Sequence, residues 1–503
     1  MRIALAPALL AAATATAAGQ RSPATRDPLA GFDRQVVEAM KQWKVPGLAI
    51  AAVRGDSVVL AKGYGVRTLG DSTPVDGHTL FAIGSATKAF TGAALGMLAD
   101  QGKLSFDGRV IDYLPWFELE DPWVTREIRV RDLLLHRSGL SRGDNIFYGT
   151  TTSRSDIVRA LRNQTPTAGF RTRFQYNNLM YITAGEVIHE VSGMSWDTFI
   201  QSRILGPLGM IESNTSVRDL VGRPNVATPH AELDDVVKPI AWRNIDNAAA
   251  SGAINSNVLD MTKWLRFWIG QGSFEGNRLL SESVVREAIT PQFQIEDPFF
   301  IARLLSPSFL SYGFGWFIED FRERRWVSHG GNIDGMAALV GFLPADRIGA
   351  VILTNMNQSD VTLPLMANLF DRLLGIVPPR DYNTPYKAAA DSFDARQRAS
   401  RKAPVRVAGT APSLPLSAYA GTYRHPFMGT ATVSLAASGH LQIRYDPAPT
   451  VTGELEHWHY DSFVAKLQDG MFPSATVTFR LGADARVVGM VFSHGGPGEW
   501  VKQ

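Results

Sequence analysis

The feature that most constrains the fold is a pair of strand-like groups at opposite ends of residues 31–375, with amphipathic helical patterns between them. Near the start, residues 48–53 and 57–62 are apolar and β-prone, and Arg54-Gly55-Asp56 between them is typical of a hairpin turn. Near the end, three further runs follow one another, at 326–328, 336–343 and 349–353. Strands this far apart favour one sheet assembled from both ends, with helices packed on it. The pattern predicts a layered α/β fold.

The overall composition limits the classes of protein to consider. The chain has 503 residues, enough for more than one domain, and 45% hydrophobic residues, enough for a sizeable core. A formal net charge of +2, without a run of lysine and arginine, argues against a nucleic-acid or membrane-surface partner. The absence of cysteine excludes disulfides and thiolate catalysis, and beyond the N-terminal segment no stretch approaches the length of a membrane span.

The first thirty residues are expected to lie outside the folded domains. Residues 1–18 contain one arginine followed by an apolar, alanine-rich stretch, and Ala15-Thr16-Ala17 fits the pattern of a cleavage site. We interpret residues 1–18 as a signal peptide and residues 19–30 as a polar leader. This interpretation predicts an exported protein, periplasmic or secreted.

A change of composition after residue 375 predicts a second domain. Residues 376–415 contain proline pairs and a charged, alanine-rich stretch, and we interpret them as a linker. Residues 416–503 show short runs that alternate in the strand period between turn signals. These runs lie at 430–435, 441–445, 474–480 and 487–493. They predict a small all-β domain, either a barrel or a sandwich.

Ser85 and Lys88 form the first candidate for catalysis. They follow the apolar residues 81–83, and the pattern becomes helical after Gly84. Three residues along a helix place both side chains on one face, where an amine can act as the base that a serine hydroxyl requires. At a helix start, the hydroxyl would also lie near free backbone N–H groups. The pair alone is a short pattern that is equally typical of a solvated helix face.

Tyr176 and Asn178 form the second candidate, in the single Tyr-x-Asn of the chain. A tyrosine near a serine/lysine pair can relay protons if the lysine's charge lowers its pKa. The Asn178 amide can orient the lysine or hold a substrate carbonyl. The alternative is a polar turn that opens a helix near Leu179.

His329-Gly330-Gly331 is the third candidate, directly after the strand-like residues 326–328. Paired glycines on a strand let another backbone or a substrate approach closely. The alternative is a loop or a bulge. A second His-Gly-Gly at 494–496 shows that the tripeptide alone is not specific.

Two other patterns compete with these candidates. Gly139 to Gly143 fits Gly-x-Ser-x-Gly, with Ser141 as the nucleophile, but that elbow requires a strand before the serine, and residues 130–135 are predicted to be helical. His457 and His459 could share one strand face, but no third ligand follows at metal-binding spacing. We therefore predict no metal site, and no motif indicates a cofactor.

Taken together and in this order, the three motifs resemble the active-site triplet of the penicillin-recognising serine hydrolases. They are Ser85-x-x-Lys88, Tyr176-x-Asn178 and His329-x-Gly331. The chain is most similar to the serine β-lactamase-related branch that holds class C β-lactamases, D-stereospecific peptidases and family VIII-type carboxylesterases. The resemblance covers residues 31–375, and the segment from residue 419 onward is similar to the lipocalin-like domain that some members append.

The resemblance implies a fold and a role for each motif residue. The fold is a β-lactamase/transpeptidase-like α/β sandwich with an α-helical subdomain, followed by a small all-β domain. Ser85 would attack an acyl carbonyl, while Lys88 and Tyr176 would share the roles of base and proton relay, without a decision between them. The backbone N–H groups of Ser85 and Asn332 would form the oxyanion hole. The remaining motif residues would bind substrate: Asn178, His329, Gly330 and Gly331.

The third motif departs from the β-lactamase pattern. Where those enzymes carry Lys-Thr-Gly, this chain has His329-Gly330-Gly331. The missing lysine and threonine normally contact the carboxylate of the antibiotic, and a histidine is what peptidase and esterase relatives often have. We expect a serine hydrolase that acts through a Ser85 acyl-enzyme on small-molecule esters or peptide amides. The alternatives are a β-lactamase or penicillin-binding protein and, in another class, a non-catalytic binding or sensor protein.

Overall fold

The structure is a computed structural model, which describes residues 27–296, 305, 307–400, 405–472, 474–493 and 498–503. The predicted signal peptide and the second His-Gly-Gly lie outside the described residues. In the part of the chain that is described, none of the helices combines the length and apolarity that a bilayer crossing requires.

Thirteen helices and twenty-two strands are found in the described residues. The helices are α1 (Phe32–Gln42), α2 (Lys88–Asp100), α3 (Val110–Tyr113), α4 (Pro122–Glu127), α5 (Val130–Leu134), α6 (Arg154–Ala160), α7 (Asn178–Ser192), α8 (Trp196–Ile200), α9 (Ala249–Gly252), α10 (Val258–Ile269), α11 (Glu282–Ala288), α12 (Thr362–Leu373) and α13 (Asn383–Ser400). The strands of the larger domain are β1 (Gly47–Arg54), β2 (Ser57–Gly65), β3 (Phe81–Ala82), β4 (His230–Leu233), β5 (Val236–Pro239), β6 (Asn255–Ser256), β7 (Ser273–Phe274), β8 (Asn277–Arg278), β9 (Phe293–Gln294), β10 (Leu310–Tyr312), β11 (Phe317–Phe321), β12 (Arg324–Ile333), β13 (Met336–Leu343) and β14 (Ile348–Thr354). Those of the smaller domain are β15 (Gly421–His425), β16 (Gly429–Leu435), β17 (Leu441–Tyr445), β18 (Ala448–His459), β19 (Ser462–Leu467), β20 (Ala475–Leu481), β21 (Val487–Phe492) and β22 (Trp500–Lys502).

An eight-stranded sheet forms the centre of the larger domain, in the order β2-β1-β14-β13-β12-β11-β10-β9. β1 and β2 form the predicted hairpin, and β1 also pairs antiparallel with β14, with Ala51 opposite Val351. The first strands of the domain therefore lie beside its last strand. This confirms the prediction of one sheet built from both ends.

The sheet is covered by helices on both faces, which explains why β1 is apolar throughout. Successive side chains of a strand point to opposite faces. Ala49, Ala51 and Val53 face the core beneath α2, α7 and α10, whereas Leu48 and Ile50 face the core beneath α1 and α12. The predicted α/β sandwich with a helical subdomain is confirmed.

Helix α2 runs through the middle of the helical subdomain and positions the candidate site. Nearly every residue of α2 is buried, and Phe90 stacks on Trp264 of α10 with ring centroids 3.8 Å apart. α2 also packs against α7. This packing brings the start of α2, which carries Lys88, close to the start of α7, which carries Asn178.

The smaller domain is a closed barrel of eight antiparallel strands, β15 to β22, in chain order. Alternate residues of its strands point inward, and the large buried side chains include Tyr419, Tyr423, Phe463 and Phe479. The barrel confirms the predicted all-β, lipocalin-like domain. Of the two architectures left open by the sequence, the barrel is the one adopted.

The interval interpreted as linker contains a helix that the sequence analysis did not predict. α13 occupies residues 383–400, within the predicted linker of residues 376–415. Tyr386 of this helix is buried, with its ring 6.2 Å from that of Trp43, and the Trp43 Nε1–H donates to Asn383 Oδ1 at 2.8 Å. The interval predicted as linker thus includes a helix whose first residues pack on the larger domain.

Candidate active site

Ser85 lies in a tight turn directly before α2. The turn is a 3₁₀ helix, Gly84–Thr87, so the α-helix begins at Lys88 rather than at Ser85. Gly84 has a φ of +49°, and a Cβ at this position would lie 2.7 Å from the Asn332 backbone nitrogen. Both conditions require glycine, because the left-handed conformation and the close contact each exclude a side chain. The turn holds the half-buried Ser85 hydroxyl one helical turn from Lys88.

The Lys88 amine is fully buried and makes three polar contacts. Its Nζ lies 3.0 Å from Ser85 Oγ, and it donates to Asn178 Oδ1 at 2.7 Å and to the Ser251 carbonyl oxygen at 2.8 Å. Burial lowers the pKa of Lys88 well below the usual value of an amine, and the charge of Arg142 acts in the same direction. The amine is therefore held in a site that favours its neutral form.

The three contacts of Lys88 fix which way its lone pair points. A neutral amine has two N–H donors and one lone pair. Because the amide oxygen of Asn178 and the carbonyl of Ser251 can only accept, they occupy the two donors. The lone pair is left for the Ser85 hydroxyl, which then donates its proton to Lys88. The predicted Ser85/Lys88 pair is thus arranged as a nucleophile and its base.

Asn178 begins α7 and has both ends of its amide occupied. The preceding Asn177 caps the helix, since its side chain accepts from the Leu179 and Met180 backbone N–H groups. Asn178 Oδ1 faces Lys88, while its Nδ2 donates to Asp144 Oδ1 at 3.0 Å. The buried Asn178 amide therefore orients the lysine, as the sequence predicted it could, and helix initiation is performed by its neighbour.

Tyr176 lies over the lysine amine. Lys88 Nζ is 4.9 Å from the Tyr176 ring centroid. Burial raises the pKa of Tyr176 above its ordinary value, although the nearby Ser85 hydroxyl opposes the shift. The pKa of Tyr176 is thus raised, whereas the relay role expected from the sequence assumed that the charge of Lys88 would lower it. Tyr176 therefore holds its proton. It can still donate or pass a proton.

His329-Gly330-Gly331 lies within strand β12, not in the loop or bulge that was the alternative interpretation. Its register with β13 is regular, with His329 opposite Val340 and Gly331 opposite Ala338. A Cβ on Gly331 would lie 1.8 Å from the Ile83 carbonyl oxygen and 2.8 Å from the Ser85 backbone nitrogen. The glycine thus lets β12 contact the nucleophile turn backbone to backbone.

This contact brings together the two backbone segments that carry the predicted oxyanion hole. The Ser85 nitrogen lies beside Gly331, and the Asn332 nitrogen lies beside Gly84. Two N–H groups on adjoining segments are the usual donors to a developing oxyanion. The Ser85 and Asn332 nitrogens thus lie on two segments in direct contact, and their role as the oxyanion hole stays a prediction.

His329 is buried beside the site and is neutral. Its Nδ1–H donates to the Gly330 carbonyl oxygen at 2.5 Å, and its Nε2 accepts from the Tyr312 hydroxyl at 2.8 Å. Burial lowers the pKa of His329 to about 3, and the charge of Lys88 acts in the same direction. Both ring nitrogens are thus paired within the protein. The substrate contact predicted for His329 stays a prediction.

Several residues around the site were not singled out from the sequence as contributors. Ser251 contributes its backbone carbonyl, for which no side-chain signal exists. The position of Asp144 in the sequence, directly after Gly143, gives no sign of its contact with Asn178. His136 is fully buried, with its ring 4.3 Å from that of Tyr176 and its Nδ1 accepting from the Asn177 N–H at 3.0 Å.

Neither competing pattern has the geometry of a site. Ser141 follows helix α5 and a turn instead of a strand, and its carbonyl oxygen accepts from Asn177 and Gln164. His457 and His459 lie on β18 of the barrel, where His457 Nε2 pairs with the Tyr460 carbonyl. Across the described part of the chain, no group of three or more His, Cys, Asp or Glu residues is arranged to hold a metal ion.

Comparisons with known proteins agree with this geometry. The sequence profile of the β-lactamase family matches residues 32–369, and that of a domain of unknown function, DUF3471, matches residues 405–497. An unguisins hydrolase, ungD, from Aspergillus violaceofuscus is 31% identical in an alignment 486 residues long, which covers 87% of this chain and 83% of that protein.

Two solved structures share the fold. The octameric penicillin-binding protein homologue from Pyrococcus abyssi aligns with a TM-score of 0.61 at 23% identity, over 94% of this chain and all of that chain. A D-stereospecific amidohydrolase from Streptomyces sp. aligns with a TM-score of 0.55 at 22% identity, over 66% of this chain and 97% of that chain. With the family profile spanning most of the larger domain and a hydrolase similar over nearly the whole chain, this protein belongs to the β-lactamase family and is a serine hydrolase.

Proposed function

We propose that this hydrolase cleaves esters or peptide amides through an acyl-enzyme on Ser85. The observation that carries the proposal is the 3.0 Å contact between Ser85 Oγ and a fully buried Lys88 amine whose two donors are occupied elsewhere. A serine becomes a nucleophile when a base of suitable pKa faces its hydroxyl.

The proposed reaction starts with proton transfer from Ser85 to Lys88. As Ser85 Oγ bonds to the acyl carbon, its proton moves to Lys88 Nζ, and the carbonyl oxygen becomes an oxyanion facing the Ser85 and Asn332 N–H groups. When the tetrahedral intermediate collapses, the C–O or C–N bond breaks and the leaving group receives a proton from the lysine, directly or through Tyr176. Water then attacks the acyl carbon and gives one proton to Lys88. The bond between the acyl carbon and Ser85 Oγ breaks, the lysine returns that proton to Ser85 Oγ, and the acid leaves.

Lys88 is a better candidate than Tyr176 for the acylation base. Burial moves the two pKa values in opposite directions, lowering that of Lys88 and raising that of Tyr176. Groups whose environments separate their pKa values in this way take the roles of base and acid, respectively. Tyr176, whose phenol lies near enough to Ser85 to affect its pKa, is therefore proposed as the relay that returns the proton.

The third motif supports an ester or amide substrate in preference to a β-lactam. A neutral, buried His329 stands where β-lactamases of this branch have a lysine, so the position offers no cation to a substrate carboxylate. The similar proteins include one named for hydrolysis of unguisins and one named a D-stereospecific amidohydrolase. A peptide amide that contains a D-residue is therefore the first substrate to try beside a simple ester. The N-terminal pattern makes export part of the proposal.

Hydrolysis assays with two serine variants test the proposal. Purified protein is offered a short-chain p-nitrophenyl ester, a D-alanyl amide with its L-isomer, and a chromogenic cephalosporin. We expect turnover of the ester or the D-amide, abolished in Ser85→Ala and retained in Ser141→Ala. Loss of activity in Ser141→Ala alone would contradict the site assignment. Cephalosporin turnover equal to that of the best substrate would replace the proposed function by β-lactamase activity.

A further inference from the structure

The barrel is docked on the larger domain by one of its two ends. In an up-and-down barrel, the connections after β15, β17 and β19 lie at the same end. All three contact the larger domain: Asn163 Nδ2 donates to the Pro426 carbonyl, Thr151 N donates to the Pro447 carbonyl at 2.7 Å, and Phe472 lies against Tyr148. The barrel end thus forms one continuous interface.

Several contacts of this interface fall on a single segment, residues 141–151, which we call the strap. A Cβ on Gly143 would lie 3.1 Å from Phe427 Cζ, and one on Gly149 would lie 3.6 Å from Phe472 Cζ. The Tyr148 and Phe472 rings are in edge contact, with centroids 6.3 Å apart. Phe427 is buried in the hydrophobic core of the larger domain, so the barrel inserts a side chain beneath the strap.

Ion pairs between the two domains lie against Tyr148 of the strap. Arg243 pairs with Asp334 of the larger domain and with Asp469 of the barrel, each at 2.7 Å, and its guanidinium lies over the Phe472 ring. The Tyr148 hydroxyl donates to Asp334 at 2.6 Å. Arg243, Asp334 and Asp469 are all mostly buried, which makes their pairing stronger than that of an exposed pair.

The other side of the strap contacts the catalytic residues. Asp144 Oδ1 accepts from Asn178 Nδ2 at 3.0 Å, and Arg142 pairs with Asp144 at 2.7 Å. The Arg142 guanidinium lies 5.3 Å from the Tyr176 ring centroid. An amide has two different ends, and a carboxylate can only accept. Asp144 therefore determines that the oxygen of Asn178, and not its NH₂ group, faces Lys88.

We propose that the barrel is a functional part of the active site: its docked end holds the strap, and Asp144 on the strap positions Asn178 and, through that amide, Lys88. The inference rests on the proposed function of Ser85 and Lys88. It makes Asp144 a positioning residue and assigns Phe472 and Asp469 of the barrel to the support of catalysis.

The proposal predicts a specific change when Asp144 is replaced by asparagine. The new amide no longer requires the NH₂ end of Asn178, so Asn178 can turn and lose its acceptor contact with Lys88. A misplacement of about 1 Å costs on the order of 100-fold in kcat, and we expect a loss of this size for Asp144→Asn with little change in KM. For Phe472→Ala, which loosens the strap from a distance, we expect about a tenfold loss.

The pH profile separates positioning from a merely structural role. The negative charge of Asp144 raises the pKa of Lys88, so Asp144→Asn should shift the acid limb of kcat/KM to lower pH. The other titratable groups that face Lys88 are unchanged in this variant: Arg142, Tyr176, Tyr181, His136 and His329. A general loss of folded protein would lower the rate without moving this limb.

The experiment compares full-length variants on one p-nitrophenyl ester. Asp144→Asn, Phe472→Ala and Asp469→Asn are measured beside Tyr460→Ala, an exposed aromatic residue at the opposite end of the barrel. Thermal unfolding of each variant identifies any that fails to fold. If Phe472→Ala does not fold, Asp469→Asn, which only removes a charge, takes its place as the barrel variant. We expect Tyr460→Ala to match the unchanged protein.

The results distinguish the inference from the function on which it rests. Suppose that the parent protein is active through Ser85, and that Asp144→Asn and the barrel variants keep kcat within about twofold of it. That result would overturn the role of the strap and leave the proposed function standing. An equal loss in Tyr460→Ala would also overturn it. A parent protein that neither hydrolyses these substrates nor reacts at Ser85 would overturn the proposed function, and the inference with it.

Discussion

Replacing Gly331 by alanine is a direct perturbation of the contact between β12 and the nucleophile turn. The added methyl group would lie 1.8 Å from the Ile83 carbonyl oxygen and 2.8 Å from the Ser85 nitrogen, both backbone atoms. Since an ordinary contact needs about 3.4 Å, the two segments must separate by about 1.5 Å. The neighbouring Gly330 is a matched control, because a Cβ there meets nothing closer than 3.5 Å.

The size of the expected loss in kcat follows from the N–H donors that the separation takes away from the oxyanion. The Ser85 and Asn332 N–H groups lie on the two segments that must move apart, so they cannot both reach one oxyanion. Losing one such donor costs about 2.7–4 kcal/mol in the barrier, or roughly 100- to 1,000-fold in kcat. KM should change little, because the oxyanion forms only in the transition state. Gly330→Ala should remain within about threefold of the parent.

The assay is steady-state hydrolysis of a p-nitrophenyl ester, with the rate of fluorophosphonate labelling of Ser85 as a second readout. Circular dichroism and thermal unfolding establish that Gly331→Ala is folded. The reasoning is refuted if folded Gly331→Ala retains kcat within about threefold of the parent. It is equally refuted if Gly330→Ala is as damaged as Gly331→Ala, since sterics at the turn would then not be the cause.

The remaining predictions concern the titrating groups. Lys88→Met should lower kcat by about 10²- to 10⁴-fold, and Tyr176→Phe by less; the reverse order, measured on one ester, would make the tyrosine the base. In the parent, kcat/KM should rise with pH through an apparent pKa well below the usual 10.5 of lysine, because only neutral Lys88 accepts the Ser85 proton; a flat profile would contradict this. Away from the site, burial raises the pKa of Glu319 to about 8, with Asp320 adding to the shift, so the folded state keeps a proton that the unfolded state releases near 4.5. This stabilisation is complete below pH 4.5 and is lost as the pH rises through 8, on the order of a few kcal/mol. Thermal unfolding between about pH 4.5 and about pH 9 should therefore show a fall in Tm that Glu319→Gln largely removes; an equal fall in both proteins would contradict the assignment.

The parts of the molecule that follow from local pattern were predictable. The hairpin at residues 54–56 has turn chemistry, and the apolar runs on either side have the strand period, so β1 and β2 followed from the sequence. Ser85 and Lys88 are separated by one helical turn, which fixes their contact wherever the helix lies. The barrel strands that alternate clearly, such as β17, were likewise predicted.

The parts of the molecule that depend on tertiary packing were not predictable from the sequence. The lowered pKa of Lys88 comes from burial between α7 and α9, and no local pattern reports burial of a lysine. Asp144 contacts Asn178 across 34 residues, and Phe427 of the barrel reaches the strap from far along the chain. The polar sequence of helix α13 is typical of a linker, and its contacts with the larger domain, such as those of Tyr386 and Asn383 with Trp43, depend on residues far away in the chain.

The central claim is that Ser85 forms the acyl-enzyme, and peptide mass mapping tests it most directly. The full-length protein is reacted with a fluorophosphonate or a slowly released acyl donor, digested with trypsin and analysed by mass spectrometry. Cleavage after Arg67 and Lys88 isolates Ser85 from Ser141, which lies between Arg137 and Arg142. We expect one added group on the peptide that contains Ser85, absent in Ser85→Ala. A modification on the Ser141 peptide, or persistent labelling of folded Ser85→Ala at the same rate, would contradict it.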